Sequence, residues 1–118
     1  MIKWGHLAKR KAGTTFKQFQ EYYENHHTQF IKFAPLACRY RRRYLRPITD
    51  PFHPQDESST FDVMNELWFP DQAAFDASFI GQDPENIKLI VEDEARFMDR
   101  DAALLFLIED IETPLPKK

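Results

Sequence analysis

The sequence predicts a single α+β domain of the ferredoxin-like βαββαβ kind, an antiparallel sheet with its helices on one face. Three observations point to it. The chain has 118 residues, enough for one hydrophobic core and not for two. Four stretches read as strands, and stretches with apolar residues at steps of three or four fall after the first and third of them. Gly13, Pro35, Pro70, Gly81 and Pro84 punctuate the chain where one kind of stretch gives way to another.

In order, Ile2 to Lys9 is a compact apolar strand ended by the turn at Arg10-Lys11-Ala12-Gly13. Thr14 or Thr15 then caps a helix whose buried stripe runs through Phe16, Phe19, Tyr23 and Phe30, with His26 or His27 between. After Pro35, Cys38 to Leu45 forms a strand with Tyr40 and Tyr44 on one face and Arg39, Arg41 and Arg43 on the other. Arginines in that pattern suit an edge strand, where charge blocks pairing with foreign strands. From Arg46 to Thr60, Pro47, Pro51 and Pro54 stand among Asp, Ser and His, which predicts a long surface loop of the length that often covers a site.

Phe61 to Phe69 is the third strand, and Pro70-Asp71 opens a helix carrying Ala74, Phe75 and Phe79 that ends at Gly81. A further helix from Pro84 carries Ile87, Ile90, Val91 and Phe97. Ala102 to Ile111 is the last strand. Residues 1–112 thus make the domain, and 113–118 a loose C-terminal tail. With helices on one face only, the other sheet face should expose several of Trp4, Met64, Trp68 and Phe106. Such a surface is expected to be covered, so two copies should pair their sheets as a homodimer around an internal space.

Composition narrows the function. No apolar run approaches the roughly 18 residues of a membrane span, and no secretory signal opens the chain, so a cytoplasmic protein away from membranes is expected. One cysteine, Cys38, allows neither an internal disulfide nor a cysteine metal cluster, which suits a reducing compartment. Residues 1–46 hold 11 Lys/Arg against 2 Asp/Glu, and the rest of the chain 5 against 17. Overall acidity and the lack of an RNA-binding motif argue against nucleic acid, leaving this asymmetry to halves or subunits that lie together. No nucleotide, flavin or metal motif is present, so no cofactor is expected; adjacent helical histidines diverge, and His6, His26, His27 and His53 have no metal-ligand spacing.

The run Tyr22-Tyr23-Glu24-Asn25-His26-His27 is where chemistry should concentrate. Tyr23 and His27 lie four apart and share a helical face, as do Tyr22 and His26 about 100° around. At least one imidazole points inward. A buried histidine switches protonation near neutral pH, and a tyrosine hydroxyl beside it is a neutral donor. The bland alternative is a helix-end histidine that complements the helix dipole.

Several segments together resemble the EthD family: Met1-Ile2-Lys3, the Lys9-Arg10-Lys11-x-Gly13 turn, Phe19-x-x-Tyr22-Tyr23-x-x-x-His27, Glu66-Leu67-Trp68-Phe69, and Asp93-Glu94-x-x-Phe97-x-Asp99. They stand in family order across Met1 to Glu109. The resemblance implies a dimeric α/β barrel, and it carries His27 onto the family's helix-end histidine and Asp93, Glu94, Phe97 and Asp99 onto its acidic motif. Gln29 stands where members often have Pro. Adjacent histidines after Tyr-Tyr-Glu-Asn look most like fungal members from aromatic polyketide pathways of secondary metabolism, which act as small cofactor-free decarboxylases or dehydratases.

The resulting expectation is a cofactor-independent lyase acting on an aromatic or polyketide acid. His27 would move the proton, Tyr23 polarise the carbonyl, His26 assist and Asp99 orient a histidine. Tyr22 would lie at the substrate, Tyr40 or Arg41 would hold a carboxylate, and Trp68 and Phe106 would wall a flat ring. A cofactor-free monooxygenase of anthrone-like phenols and a non-catalytic binding protein are the other classes the sequence leaves open.

Overall fold

The computed structural model describes residues 1–48, 52 and 60–117. Four strands, β1 (Ile2–Ala8), β2 (Arg39–Tyr44), β3 (Val63–Phe69) and β4 (Leu104–Leu107), form one sheet in the order β2-β3-β1-β4. Every neighbouring pair is antiparallel. The α-helices are α1 (Phe16–Asn25), α2 (Gln72–Phe79) and α3 (Pro84–Phe97), so the order of elements is the βαββαβ expected, with a helix pair in the second half. Strand β2 is at the edge of the sheet, as its arginines suggest.

Local chemistry sets the boundaries. Gly13 adopts φ 84°, a left-handed conformation that favours glycine and turns the chain from β1 toward α1. Thr15, rather than Thr14, caps α1: its hydroxyl accepts from the Gln18 amide while the Gln18 side chain accepts from the Thr15 amide. Helix α1 stops at Asn25, earlier than the stripe reaching Phe30 implied. A 3-10 helix, His27–Phe33, takes over. Asn, His, His and Thr in succession are poor helix formers, and the Thr28 hydroxyl donates to the Glu24 carbonyl at 2.9 Å. Asp71 and Asp83 cap α2 and α3.

The last strand is also shorter than the apolar run 102–111. Arg100–Ala102 winds into a 3-10 turn before it, and beyond Leu107 the Ile108 amide donates to the Lys3 carbonyl and Asp110 pairs with the Lys3 ammonium. Residues 108–117 form no regular element. The expected 46–60 loop, with Pro51, His53 and Pro54, lies largely outside the described residues.

The register separates the sheet into two faces. Trp4, His6 and Ala8 of β1, Tyr40, Arg42 and Tyr44 of β2 and Val63, Asn65, Leu67 and Phe69 of β3 point toward the helices. The core between sheet and helices joins Ala8, Phe19, Tyr23, Val63, Phe97 and Met98. Phe97 is its centre, with ring contacts to Phe19, Tyr22, Tyr23 and His27. Arg42 ties β2 to α1 with two hydrogen bonds to Glu24, at 2.8 and 2.5 Å, and Tyr44 donates a third to the same carboxylate.

The opposite face differs from the apolar surface expected. Trp4 is on the helix side, against Phe79. Trp68 is on the open face, but the Lys3 ammonium lies 4.2 Å and the Arg39 guanidinium 4.4 Å from its ring centre. Beside it the buried Glu66 accepts from Arg43 at 2.6 Å and from the Trp68 indole at 3.2 Å. Phe106 covers Gly5 so closely that a Cβ there would sit 2.3 Å from the ring. This face is a mosaic of cations, carboxylates and aromatic rings, with Lys3 also paired to Asp110.

Candidate active site

The site is built around Asp93, a carboxylate in the buried stripe of α3 with only 1% of its surface exposed. Three elements converge on it. Tyr22 from α1 donates to Oδ1 at 2.6 Å, and His27 from the 3-10 helix places Nδ1 2.7 Å from Oδ2. Arg96, one turn along α3, adds a 3.2 Å hydrogen bond. Burial alone raises the Asp93 carboxyl, but the hydrogen bonds from Tyr22 and His27 and the nearby imidazoles outweigh it and hold the group below its ordinary value. A carboxylate at Nδ1 makes that nitrogen the donor, so in the neutral ring Nε2 carries the lone pair. His27 also lines an apolar cavity and is fixed edge-on by Tyr23 and tilted against Phe30 and Phe97.

That cavity, of about 140 Å³, lies between the sheet and the helices, with Trp4, Phe30, Phe33 and Phe79 among its walls. A larger one of about 480 Å³ shares Trp4, His6, Phe79 and Glu94 with it and extends to Arg100 and Leu105. The larger volume is within the roughly 300–1,000 Å³ typical of small-molecule sites.

The polar groups in these walls are few. Tyr23 and Tyr40 form a hydroxyl pair at 3.3 Å with Tyr40 donating, which leaves the Tyr23 proton for another acceptor. Burial pushes the Tyr23 phenol well above its ordinary value, helped by Tyr40, so it stays a neutral donor. His6 of β1 accepts at Nδ1 from the Asn65 side-chain amide at 3.3 Å, which puts its own proton on Nε2. Burial, then the charges of His27 and Arg100, lower the His6 value to about 4, so the ring is neutral at pH 7. The Asn65 carbonyl oxygen is buried and has no donor among the described residues. Glu94 is raised by burial, partly offset by His27 and Arg100.

Of the residues singled out from sequence, His27, Tyr23 and Tyr40 line the cavity. Tyr22 does not; it holds Asp93 from the side. His26 is largely exposed, outside the cavity, with Nδ1 on Gln29 at 3.0 Å and Nε2 3.5 Å from Asp93. The expected Asp99 pairing with a histidine is not made: Asp99 is exposed at the start of the 3-10 turn, and Asp93 takes that place. The reason is helical phase. Asp93 is four residues before the buried Phe97 and shares its face, whereas Asp99 follows the end of α3. Arg41, Trp68 and Phe106 are on the open face, away from the cavity, because strand alternation sends them opposite to Tyr40, Leu67 and Leu105.

His6 and Asn65 were not expected in the site, and Glu94 was expected only as part of the acidic motif. For the first two the signal was present: His6 shares a strand face with Trp4 and Ala8, and Asn65 with Val63 and Leu67, so each is a polar residue on an apolar face. Only the meeting of β1, β3 and α3 with the other elements of the wall shows that they surround one space. Among the described residues no group of three or more His, Cys, Asp or Glu is arranged to hold a metal ion, and no helix is long and apolar enough to cross a membrane.

Comparisons with known proteins agree with this architecture. A crystal structure of an ethyl tert-butyl ether D (EthD) family protein from Bacillus halodurans superposes with a TM-score of 0.63 at 15% identity, covering 94% of this chain and 100% of that one. A protein of Arabidopsis thaliana gives 0.64 at 12% identity, with 98% and 100% covered. HapK from Hahella chejuensis gives 0.62 at 13% identity, with both chains fully covered. At these identities the likeness is one of fold. No curated protein matches at a significant level. The EthD domain family model matches residues 11–101, from the turn after β1 to the turn before β4, and the chain therefore belongs to the EthD domain family.

Proposed function

We propose that this protein is a cofactor-independent lyase, a decarboxylase or dehydratase of an aromatic or polyketide intermediate, with His27 as its acid–base residue. The observation that carries this reading is the buried Asp93–His27 pair at 2.7 Å, whose imidazole faces an apolar cavity. Asp93 fixes the tautomer and stabilises the imidazolium once His27 has taken a proton, an arrangement that in general acid–base catalysis contributes roughly 10²–10⁴-fold. Tyr23 and the Nε2 proton of His6 are neutral donors suited to an enolate oxygen in a medium of low dielectric.

For dehydration of a β-hydroxy ketone, His27 removes the α proton, the electrons pass through the enolate, and hydroxide leaves as water with the proton returned by His27. For a β-keto acid, the carboxyl proton passes to His27 Nε2, loss of CO₂ leaves an enolate, and His27 returns the proton to its carbon. The aromatic walls Trp4, Phe30, Phe33 and Phe79 suit flat rings.

The working unit in this proposal is a homodimer in the cytoplasm, formed through the open sheet face, where Leu104 is half-exposed on the same strand face as Phe106. A stable monomer by mass in solution would contradict it. The catalytic test is incubation with a panel of aromatic β-keto and β-hydroxy acids, following release of CO₂ or water by mass spectrometry in wild type and His27→Ala. Turnover in the wild type with at least 100-fold loss in the variant is expected; equal rates would sink the mechanism. Oxygen uptake in place of either release would assign the site to an oxygenase.

A further inference from the structure

Arg100 is the one guanidinium or ammonium among the described residues that line the two cavities. It stands on the 3-10 turn between α3 and β4, half-exposed, at the wall of the larger cavity. Its bond there is a single long one, from Nε to Glu94 Oε1 at 3.3 Å, where charge-assisted pairs are ordinarily about 2.7–2.9 Å. The two Nη groups bond nothing else among the described residues. Arg41, the arginine expected to hold a carboxylate, is on the far face of the sheet beside Trp68.

We propose that the larger cavity binds an organic anion whose carboxylate docks on the Arg100 guanidinium in place of Glu94, with the aromatic body of the ligand against Trp4, Phe79 and Ile90. An exogenous carboxylate takes two parallel N–H bonds from the arginine fork, better geometry than the present contact. Glu94, deprived of its cation, is then left in a buried wall. The groups that face it are His27 from the first 3-10 helix, His6 from β1, Tyr23 from α1, Tyr40 from β2 and Asp93 on its own helix. Tyr23, Tyr40 and Asp93 add no positive charge, His6 is neutral, and His27 is already held by Asp93, so none of these groups replaces the Arg100 cation. Glu94 consequently takes up a proton as the anion enters, and its carboxyl, already raised by burial, moves further in that direction.

The proposal deepens the lyase reading by naming what the substrate must carry: a carboxylate held by arginine is stabilised as the anion and is retained, so it is distinct from any carboxylate lost as CO₂. It rests on that reading only for the reacting centre, since docking is measured without turnover. The experiment is calorimetric titration of the full chain with 2-naphthoate and its neutral isostere 2-naphthamide. Wild type is expected to bind the carboxylate at least tenfold more tightly and, in buffers of different ionisation heat, to show net proton uptake on binding.

Arg100→Gln should bind both ligands alike, Arg100→Lys should retain part of the preference, and Glu94→Gln should keep the preference while losing the proton uptake. His27→Ala should leave the preference in place, which separates failure of the catalytic reading from failure of this one. Equal affinity of wild type for both probes, no binding of either at millimolar concentration, or a preference unchanged in Arg100→Gln would each overturn the proposal.

Discussion

On the helix side of the sheet, β1 and β3 present His6 and Asn65 to an aromatic cavity, whereas one residue along each strand, on the open side, stand Gly5 and Glu66. The polar groups of the first side are neutral or paired, and burial governs the protonation of His6 and Tyr23. Those of the second are joined by ion pairs, and Lys3 and Arg39 flank a tryptophan that lines neither cavity. The same residue types are thus given different work by strand parity. A histidine or a carboxylate is chemically useful where water is excluded, a partner fixes its proton and a cavity brings a ligand to it; Glu66 on the open face is buried and paired but lines neither cavity.

The largest effects should come from breaking the buried side. Asp93→Ala removes the carboxylate that Tyr22 and His27 share and leaves the buried His27 and the partly buried Tyr22 without their acceptor. A loss of about 3–5 kcal/mol in stability is expected, read as a fall in urea midpoint, together with turnover lowered at least 100-fold in the surviving folded fraction. Asp93→Asn keeps an acceptor and should recover most of the stability without the activity.

His6 supplies a pH-dependent version of the same contrast. Its folded value of about 4 is below the ordinary 6.5, so the unfolded chain binds the proton first as pH falls. The stability of a neutral buried ring is fully present above pH 6.5 and is lost between there and about pH 4. The loss over that window is about 3 kcal/mol, and urea titrations of His6→Gln should lack it. A wild type whose stability is flat across the window would place His6 in water.

The open face should respond less. Gly5→Ala drives a methyl group toward Phe106, and because that ring can turn aside the expected cost is about 1 kcal/mol, seen as a modest drop in melting temperature. Arg41→Ala gives up a distant contact with Trp68, 5.9 Å from ring centre to guanidinium, and should change stability by less than about 0.5 kcal/mol with turnover unaltered. A large loss of activity in Arg41→Ala would mean that the open face takes part in the site.

Much of the fold was legible because it rests on local periodicity. Tyr40 and Tyr44 opposite Arg39, Arg41 and Arg43 could be assigned to two faces of one strand from alternation alone, and the register agrees. The site was legible only in part. His27 and Tyr23 could be paired from a spacing of four on a helix, but nothing local distinguishes Asp93 from Asp99 as the acid that reaches them. That choice depends on where α3 ends and how it packs on α1. The parity of Trp4, Trp68 and Phe106 was equally out of reach, since an apolar strand residue satisfies either face until the helices have chosen one.

By itself, then, the sequence determined the order of elements, the edge position of β2, the Thr15 cap region and the Tyr23–His27 pair, all of which follow from interactions a few residues apart. Tertiary structure decided which carboxylate grips His27, which side of the sheet encloses the cavity, and that His6, Asn65, Glu94 and Arg100 belong to it. Those residues are separated by tens of positions along the chain and meet only when β1, β3, α3 and the turn before β4 close on one apolar space, so no local pattern could encode their meeting.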